Sequence, residues 1–156
     1  MPDLYAGKPT LTDVTLSLDT NAYTAADVLA ATQVIEDVFR VSDGTAVLDS
    51  VTVFDQDDVG AAFDLYFLSA DVAIGTENAA PNISDANALN ICCKVAIGTG
   101  DYSDLGGVKV ATVGNLRRVV QAISGSRDLA VAAVNGAGTP TYTAAGLKLR
   151  LGFIQG

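Results

Sequence analysis

In the stretch "LDSVTVFDQDDVGAAFDLYF", residues 48–67, Asp55, Asp57 and Asp58 fall within four positions, with Gly60 just behind. Carboxylates packed this closely are the residue types for binding a hard cation or for acid/base work. A calcium-binding EF-hand loop needs oxygen ligands at its positions 1, 3 and 5, glycine at 6 and glutamate at 12. With Asp55 at position 1, Asp57 and Gly60 fit, but Val59 stands at position 5 and Tyr66 at position 12. The flanks also alternate like strands rather than helices. Paired carboxylates for glycoside hydrolysis need one of them held protonated in an apolar cleft, whereas carboxylates at a loop tip are hydrated. A turn accounts for every residue: Asp side chains bond to nearby backbone N–H groups, and glycine supplies positive φ. The expectation is a hydrated hairpin tip, with a looser carboxylate cation site as the chemical alternative.

The rest of the chain offers little reactive chemistry. There is no histidine, which removes the commonest general base, the commonest metal ligand and the Ser-His and Cys-His nucleophile pairs. This argues against an enzyme. Cys92 and Cys93 are adjacent, so on a strand they point to opposite faces and a bridge between them would be strained. Without CxxC spacing they suggest neither zinc nor a redox pair, and they read as small half-buried residues in a reducing compartment. "GTGDYSDLGG" lacks the Lys-Ser/Thr of a phosphate loop, "NGAGTPT" lacks the third glycine of a dinucleotide loop, and Ser124 in "ISGSRD" lies in no nucleophile elbow. No catalytic, cofactor-binding or metal-ligating set is assigned.

Charge points to partners rather than substrates. The 156 residues carry a net charge of −9, which disfavours binding nucleic acid through its phosphates. The distribution is uneven: residues 1–93 hold 15 acids and 2 bases, whereas residues 94–156 hold 3 acids and 7 bases. Arg117, Arg118, Arg127, Lys148 and Arg150 are the candidates for a basic strip facing a partner, against the plainer reading that they are solvated or neutralised within the fold. "MPDLYAGKPT" has no basic start followed by an apolar run, and no uncharged apolar stretch approaches the roughly 20 residues a membrane helix needs. Neither secretion nor membrane attachment is expected.

Short alternating segments must position these residues. "LTDVTLSL" (11–18), "VIEDVFRV" (34–41), "AVLDSVTVF" (46–54), "AAFDLYFL" (61–68), "ICCKVAI" (91–97), "GVKVATV" (107–113), "LRRVVQAI" (116–123), "DLAVAAV" (128–134) and "LKLRLGFI" (147–154) read as strands, with Gly, Asn and Ser punctuation between them. Near-regular short strands predict one all-β domain, an antiparallel β-sandwich or jelly-roll-like fold with little helix, over residues 10–156. Residues 1–9, with Pro2 and Pro9, read as an extended N-terminal arm. "TAADVLAATQVI" (24–35) has the pattern of a short helix capped by Thr24, and "SDANALNI" (84–91) that of a helical turn capped by Ser84.

The segments "VLDSVTVFDQDDVGAAFDLYFLSADVAIGTENAAPNISDANA" and "AAVNGAGTPTYTAAGLKLRLGF", with "YTAADVLA" and "GGVKVATV", resemble small virion proteins encoded near the major capsid gene of tailed bacteriophages. The resemblance spans most of residues 22–154, rests on strand and turn patterns, and favours an extended course for Val28–Ala30 over the helix. It is a resemblance to capsid decoration, or cement, proteins. It implies a structural role on the capsid exterior after synthesis in a bacterial cytoplasm, with the major capsid protein and further copies of the chain, as dimer or trimer, for partners. It implies no cofactor, nucleic acid or membrane, and it maps no family site onto any residue. The alternatives are a tail, connector or fibre component, or a host- or carbohydrate-binding β-module stacking sugars on Tyr5, Tyr23, Tyr102 and Tyr142.

Overall fold

A residue on a strand points to the opposite face from its neighbours, so alternation of apolar and polar side chains buries one face of a sheet. The last strand shows this most plainly: in "LKLRLGFIQ", Leu147, Leu149, Leu151 and Phe153 are buried while Lys148, Arg150 and Ile154 are exposed. The computed structural model describes residues 7–156. Its strands are β1 (Lys8–Thr15), β2 (Val28–Ile35), β3 (Thr45–Asp55), β4 (Phe63–Leu68), β5 (Ile91–Ile97), β6 (Tyr102–Asp104), β7 (Lys109–Val113), β8 (Arg118–Gln121), β9 (Leu129–Asn135) and β10 (Leu147–Gln155). A short α-helix, α1 (Asp85–Ala88), and a 3-10 turn at Thr99–Asp101 interrupt them, and Ser84 caps α1 by accepting from the Asn87 N–H at 3.2 Å.

The strands form two antiparallel sheets. One runs β1-β10-β3-β7-β6, with β8 pairing the other end of β3, and the other runs β2-β9-β4-β5. Because β7 and β8 pair with successive parts of β3, they act as one interrupted strand. Counting them so, and setting aside the short β6, leaves eight main strands that alternate between the sheets in chain order except for β4 and β5, which pair with each other. This is the double-sheet jelly roll, with connections that cross from sheet to sheet. The expected all-β, jelly-roll-like sandwich is the fold observed.

The core lies between the sheets. Leu48, Val51, Val53, Leu149, Leu151 and Phe153 of one sheet meet Leu29, Phe63, Leu65, Phe67, Val131 and Ala133 of the other, all at most 1 % exposed. A second, smaller cluster lies on the far side of the four-stranded sheet. There Val28, Leu68, Ala130 and Ala132 are covered by Ile74 of the long connection between β4 and β5.

Three expectations need correction. Residues 24–35 are not helical: Ala26 has φ 66° and Val28–Ile35 is a strand whose Val28, Leu29 and Ala30 are all fully buried. Pairing with β9 and burial on both faces override the helix propensity of the alanines. The segment 116–123 is extended only from Arg118, because Asn115 and Arg117 adopt positive φ (54° and 51°) and the chain turns there before rejoining β3. Finally, Lys8 and Pro9 belong to β1 rather than to an arm, while residues 1–6, with Tyr5, lie outside the described residues.

Candidate functional site

The acidic cluster sits where β3 leaves one sheet and the chain crosses to β4 in the other. It is therefore a corner between sheets and not a hairpin tip. Nor is it freely hydrated. Asp55 is fully buried; its Oδ1 accepts from the Asp57 N–H at 3.1 Å and its Oδ2 from the Gly60 N–H at 2.6 Å. Asp57 turns the other way and grips the connection between β9 and β10, where the Thr143 N–H donates at 2.8 Å and the Thr143 hydroxyl at 2.9 Å. Gly146 allows this approach, since a Cβ there would stand 1.8 Å from an Asp57 oxygen. Asp58 has φ 59°, and Lys109 of β7 spans it, donating to its backbone carbonyl at 3.1 Å with its carboxylate 3.8 Å away. Charge-assisted bonds of this kind are the stronger class of hydrogen bond. The carboxylates diverge, each committed to N–H, hydroxyl or ammonium donors, so the arrangement closes a corner of the sandwich. Among the described residues no group of three His, Cys, Asp or Glu side chains converges to hold a metal.

Tyr23, Tyr102 and Tyr142 are structural as well. Tyr23 and Tyr142 are 1 % and 3 % exposed and pack with ring centroids 6.4 Å apart, so neither is an exposed platform for a sugar. Burial is the main force pushing the Tyr23 hydroxyl up to about 12, and it raises Tyr142 and Tyr102 further. Tyr102 is half-buried and donates to the Ala61 carbonyl at 2.9 Å. Cys93 turns inward opposite Phe67, burial pushes its thiol up to about 11, and both cysteines are free. A thiol held protonated in this way is a poor nucleophile.

The five basic residues do not form one strip. Lys148 and Arg150 share the outer face of the six-stranded sheet, and Arg150 is fixed there. Its Nε and Nη2 donate to the two carboxylate oxygens of its cross-strand neighbour Asp13 at 2.8 and 3.0 Å, and its guanidinium lies 5.3 Å from the Phe54 ring centre. The hydrogen bond from Arg150 holds the Asp13 carboxyl below its ordinary range. Arg127 is elsewhere, donating to Asp37 beside the start of β9. Arg117 lies in the turn before β8, and Arg118 begins β8 on the side facing Cys93.

A feature absent from the alternation of any single segment appears when strands are placed side by side. Val119 of β8 pairs with Val47 of β3, Val47 with Ile154 of β10, and Ile154 with Pro9 of β1. One row of apolar side chains thus crosses four strands on the outer face of the six-stranded sheet. Leu11, 71 % exposed, stands beside it opposite Gly152. Gly152 floors a shallow trough there, because Ser50 Oγ occupies the space a Cβ would need.

No family model and no curated protein matches the chain. Among solved structures it is similar to a chain of the capsid of Ralstonia phage GP4, with 21 % identity and a TM-score of 0.46 over 100 % of this chain and 89 % of that one. It is similar also to a chain of Desmodium yellow mottle tymovirus (11 % identity, TM-score 0.30, 99 % and 85 % covered). A third likeness is to the K3 adhesin domain of Lys-gingipain from Porphyromonas gingivalis (10 % identity, TM-score 0.35, 94 % and 74 % covered). The jelly-roll topology itself stands on this chain's own strand order and register.

Proposed function

We propose that the chain is a structural virion protein that works by binding, and in particular a decoration protein on the outside of an assembled phage capsid. The observation that carries this reading is the double-sheet jelly roll whose acidic corner, Asp55 and Asp57, and Tyr102 are spent on its own fold. That architecture serves viral capsid and lectin domains and cupins. The lectin-like reading loses two of its four stacking platforms with Tyr23 and Tyr142 in the core, and a chain without histidine suits no imidazole-ligated metal chemistry. The sequence resemblance to decoration proteins over residues 22–154 supports the finer assignment, and the viral origin of two of the structural likenesses agrees with it.

The mechanism is linkage. A protein that binds the assembled shell and not its dissociated subunits stabilises the shell by mass action. Copies repeated by the symmetry of the shell add avidity to an interface that is modest in each copy. No bond is made or broken. The test mixes the purified chain with empty shells of the particle whose genome encodes it. Co-sedimentation at saturating stoichiometry, with a rise in the disruption temperature of the shells, is the expected result. Shells that neither retain the chain nor gain heat resistance would refute the assignment.

A further inference from the structure

Most strands with a free side in this sandwich are blunted against further pairing. β2 is bulged twice against β9, and its Val28 already exchanges backbone bonds with the β4–β5 connection, donating to the Ala79 carbonyl at 2.8 Å and accepting from the Asn78 N–H at 2.9 Å. β6 and β8 have three and four residues. β5 carries Lys94 at its centre. Bulges, short strands and lysines are the usual devices that keep an edge from pairing. β1 has none of the first two: its eight residues pair with β10 in unbroken register, and its other side has no strand neighbour.

The hydrogen bonds at the end of β1 fix which backbone groups point to that open side. The Leu16 N–H donates to the Leu147 carbonyl at 3.0 Å, so the residue pair after Thr15–Lys148 is a hydrogen-bonded one. Such pairs alternate along an antiparallel ladder. Val14, Thr12 and Thr10 therefore turn their backbone groups to β10, and Asp13, Leu11 and Pro9 turn theirs outward. Two observations agree with this. The Thr15 carbonyl, outward by the same alternation, accepts from the Gln33 side chain at 2.9 Å. Pro9, the residue without an N–H, falls in the outward set, where it costs no ladder bond. Among the described residues nothing bonds to the outward backbone groups of Leu11 and Asp13, and Leu11 is 71 % exposed.

We propose that this edge receives β1 of a second copy, antiparallel about a two-fold axis at Leu11, so that the six-stranded sheets of two protomers become one. The edge is complementary to itself in this register. At the axis the two Leu11 residues exchange N–H and carbonyl, and to either side the Asp13 N–H meets the carbonyl of the other copy's Pro9. Side chains agree: Leu11 lies against Leu11, Thr10 opposite Thr12 and Lys8 opposite Val14, so no like charges meet although each chain carries −9. Asp13 keeps its ion pair with Arg150 of its own chain. An axis moved to Asp13 would set two carboxylates face to face, and one moved to Pro9 would put two residues without N–H at the centre. An isologous contact of this kind closes at two copies. Main-chain bonds give the affinity and the Leu11 pair gives the register, as in strand addition generally. This pairing does not depend on the virion reading.

The experiment is sedimentation of the full chain over a concentration series, with amide hydrogen exchange read residue by residue. The expected result is a monomer–dimer equilibrium. The Leu11 and Asp13 N–H groups exchange freely in dilute solution and gain protection as the dimer forms, while those of Thr12 and Val14, bonded to β10, are protected throughout. Leu11→Pro removes an outward N–H and leaves the ladder to β10 intact, and Leu11→Asp sets two carboxylates at the axis. Each should weaken self-association by about tenfold or more, the scale of the lost axial bonds. Leu89→Asp, at the end of α1 where Leu89 is 88 % exposed, should leave it unchanged. Melting curves close to that of the wild type certify folding, and Leu11→Asp decides the matter if the proline variant does not fold. A wild type that stays monomeric at every concentration overturns the proposal. So does a dimer that the folded Leu11 variants leave intact, or one that forms without protecting Leu11 and Asp13. A chain that dimerises only after residues 1–6 are removed overturns it as well, because the edge is then taken by the chain itself. None of these outcomes alters the co-sedimentation test of the virion role.

Discussion

At the scale of single residues, the acidic corner is the most exacting part of the chain. Asp55 accepts two backbone N–H groups without exposure to water, so Asp55→Ala leaves the donors of Asp57 and Gly60 unpaired inside the fold. Hydrogen bonds to charged groups are worth roughly 1.5–3 kcal/mol each, so denaturant titration is expected to show a loss of about 3 kcal/mol for Asp55→Ala. Asp57→Ala should cost about 2 kcal/mol by the same measure, since the Thr143 bonds it loses lie nearer the surface. Neither change should abolish shell binding once the protein is folded, whereas a catalytic or cation-binding role would make Asp57→Asn lose function without losing stability. Glu77 gives a test of opposite sign. Its Oε1 is buried without a partner, and burial first, then the nearby Asp19 carboxylate, raises its pKa. The folded chain therefore holds this proton more tightly than the unfolded chain. That contribution is present below the ordinary glutamate range and is lost as pH rises through the raised value. Glu77→Gln should accordingly match the wild type in acid and exceed it in stability at neutral pH, as thermal melts across pH would show. A variant less stable at pH 7 would contradict this.

At the scale of elements, legibility followed the physics of one strand at a time. The alternation of "LKLRLGFI" and "AVLDSVTVF" reveals β10 and β3, because a half-buried strand records its own burial in its own sequence. Which strand pairs with which is not recorded there. Thus the chain between Phe54 and Phe63 reads as a hairpin turn, although its flanking strands belong to different sheets and the Asp residues answer to Thr143 and Lys109, far away in sequence. The burial of Tyr23 and Tyr142 was likewise hidden, since both lie in loops without periodicity. The apolar row on the outer face was invisible because each strand contributes one residue to it. An element-scale expectation concerns the turn before β8. Arg117 has φ 51°, a left-handed conformation that costs most residues about 1 kcal/mol relative to glycine. Arg117→Gly should leave stability unchanged or raise it slightly in chemical denaturation. A loss above that scale would mean that the guanidinium itself holds the turn. On the opposite sheet, Ile74 seals the smaller cluster, and Ile74→Ala should cost about 2–4 kcal/mol and release hydrogen-exchange protection in the β4–β5 connection before that of β3 or β10.

At the scale of the whole molecule, the two sheets have different surroundings. The four-stranded sheet is covered on both sides, by the core within and by the β4–β5 connection without, while the six-stranded sheet carries the apolar row Val119–Val47–Ile154–Pro9 on its outer face. A net charge of −9 keeps separate copies apart in solution. On the proposed reading, copies meet on the shell, where many modest contacts act together.

The most direct test of the central claim is an electron cryo-microscopy reconstruction of the particle produced by the genome that encodes this chain. The account predicts density for a two-sheet β domain on the outside of the shell at symmetry-related positions. Density for the domain in the tail or connector, or a shell with no such density, would contradict it.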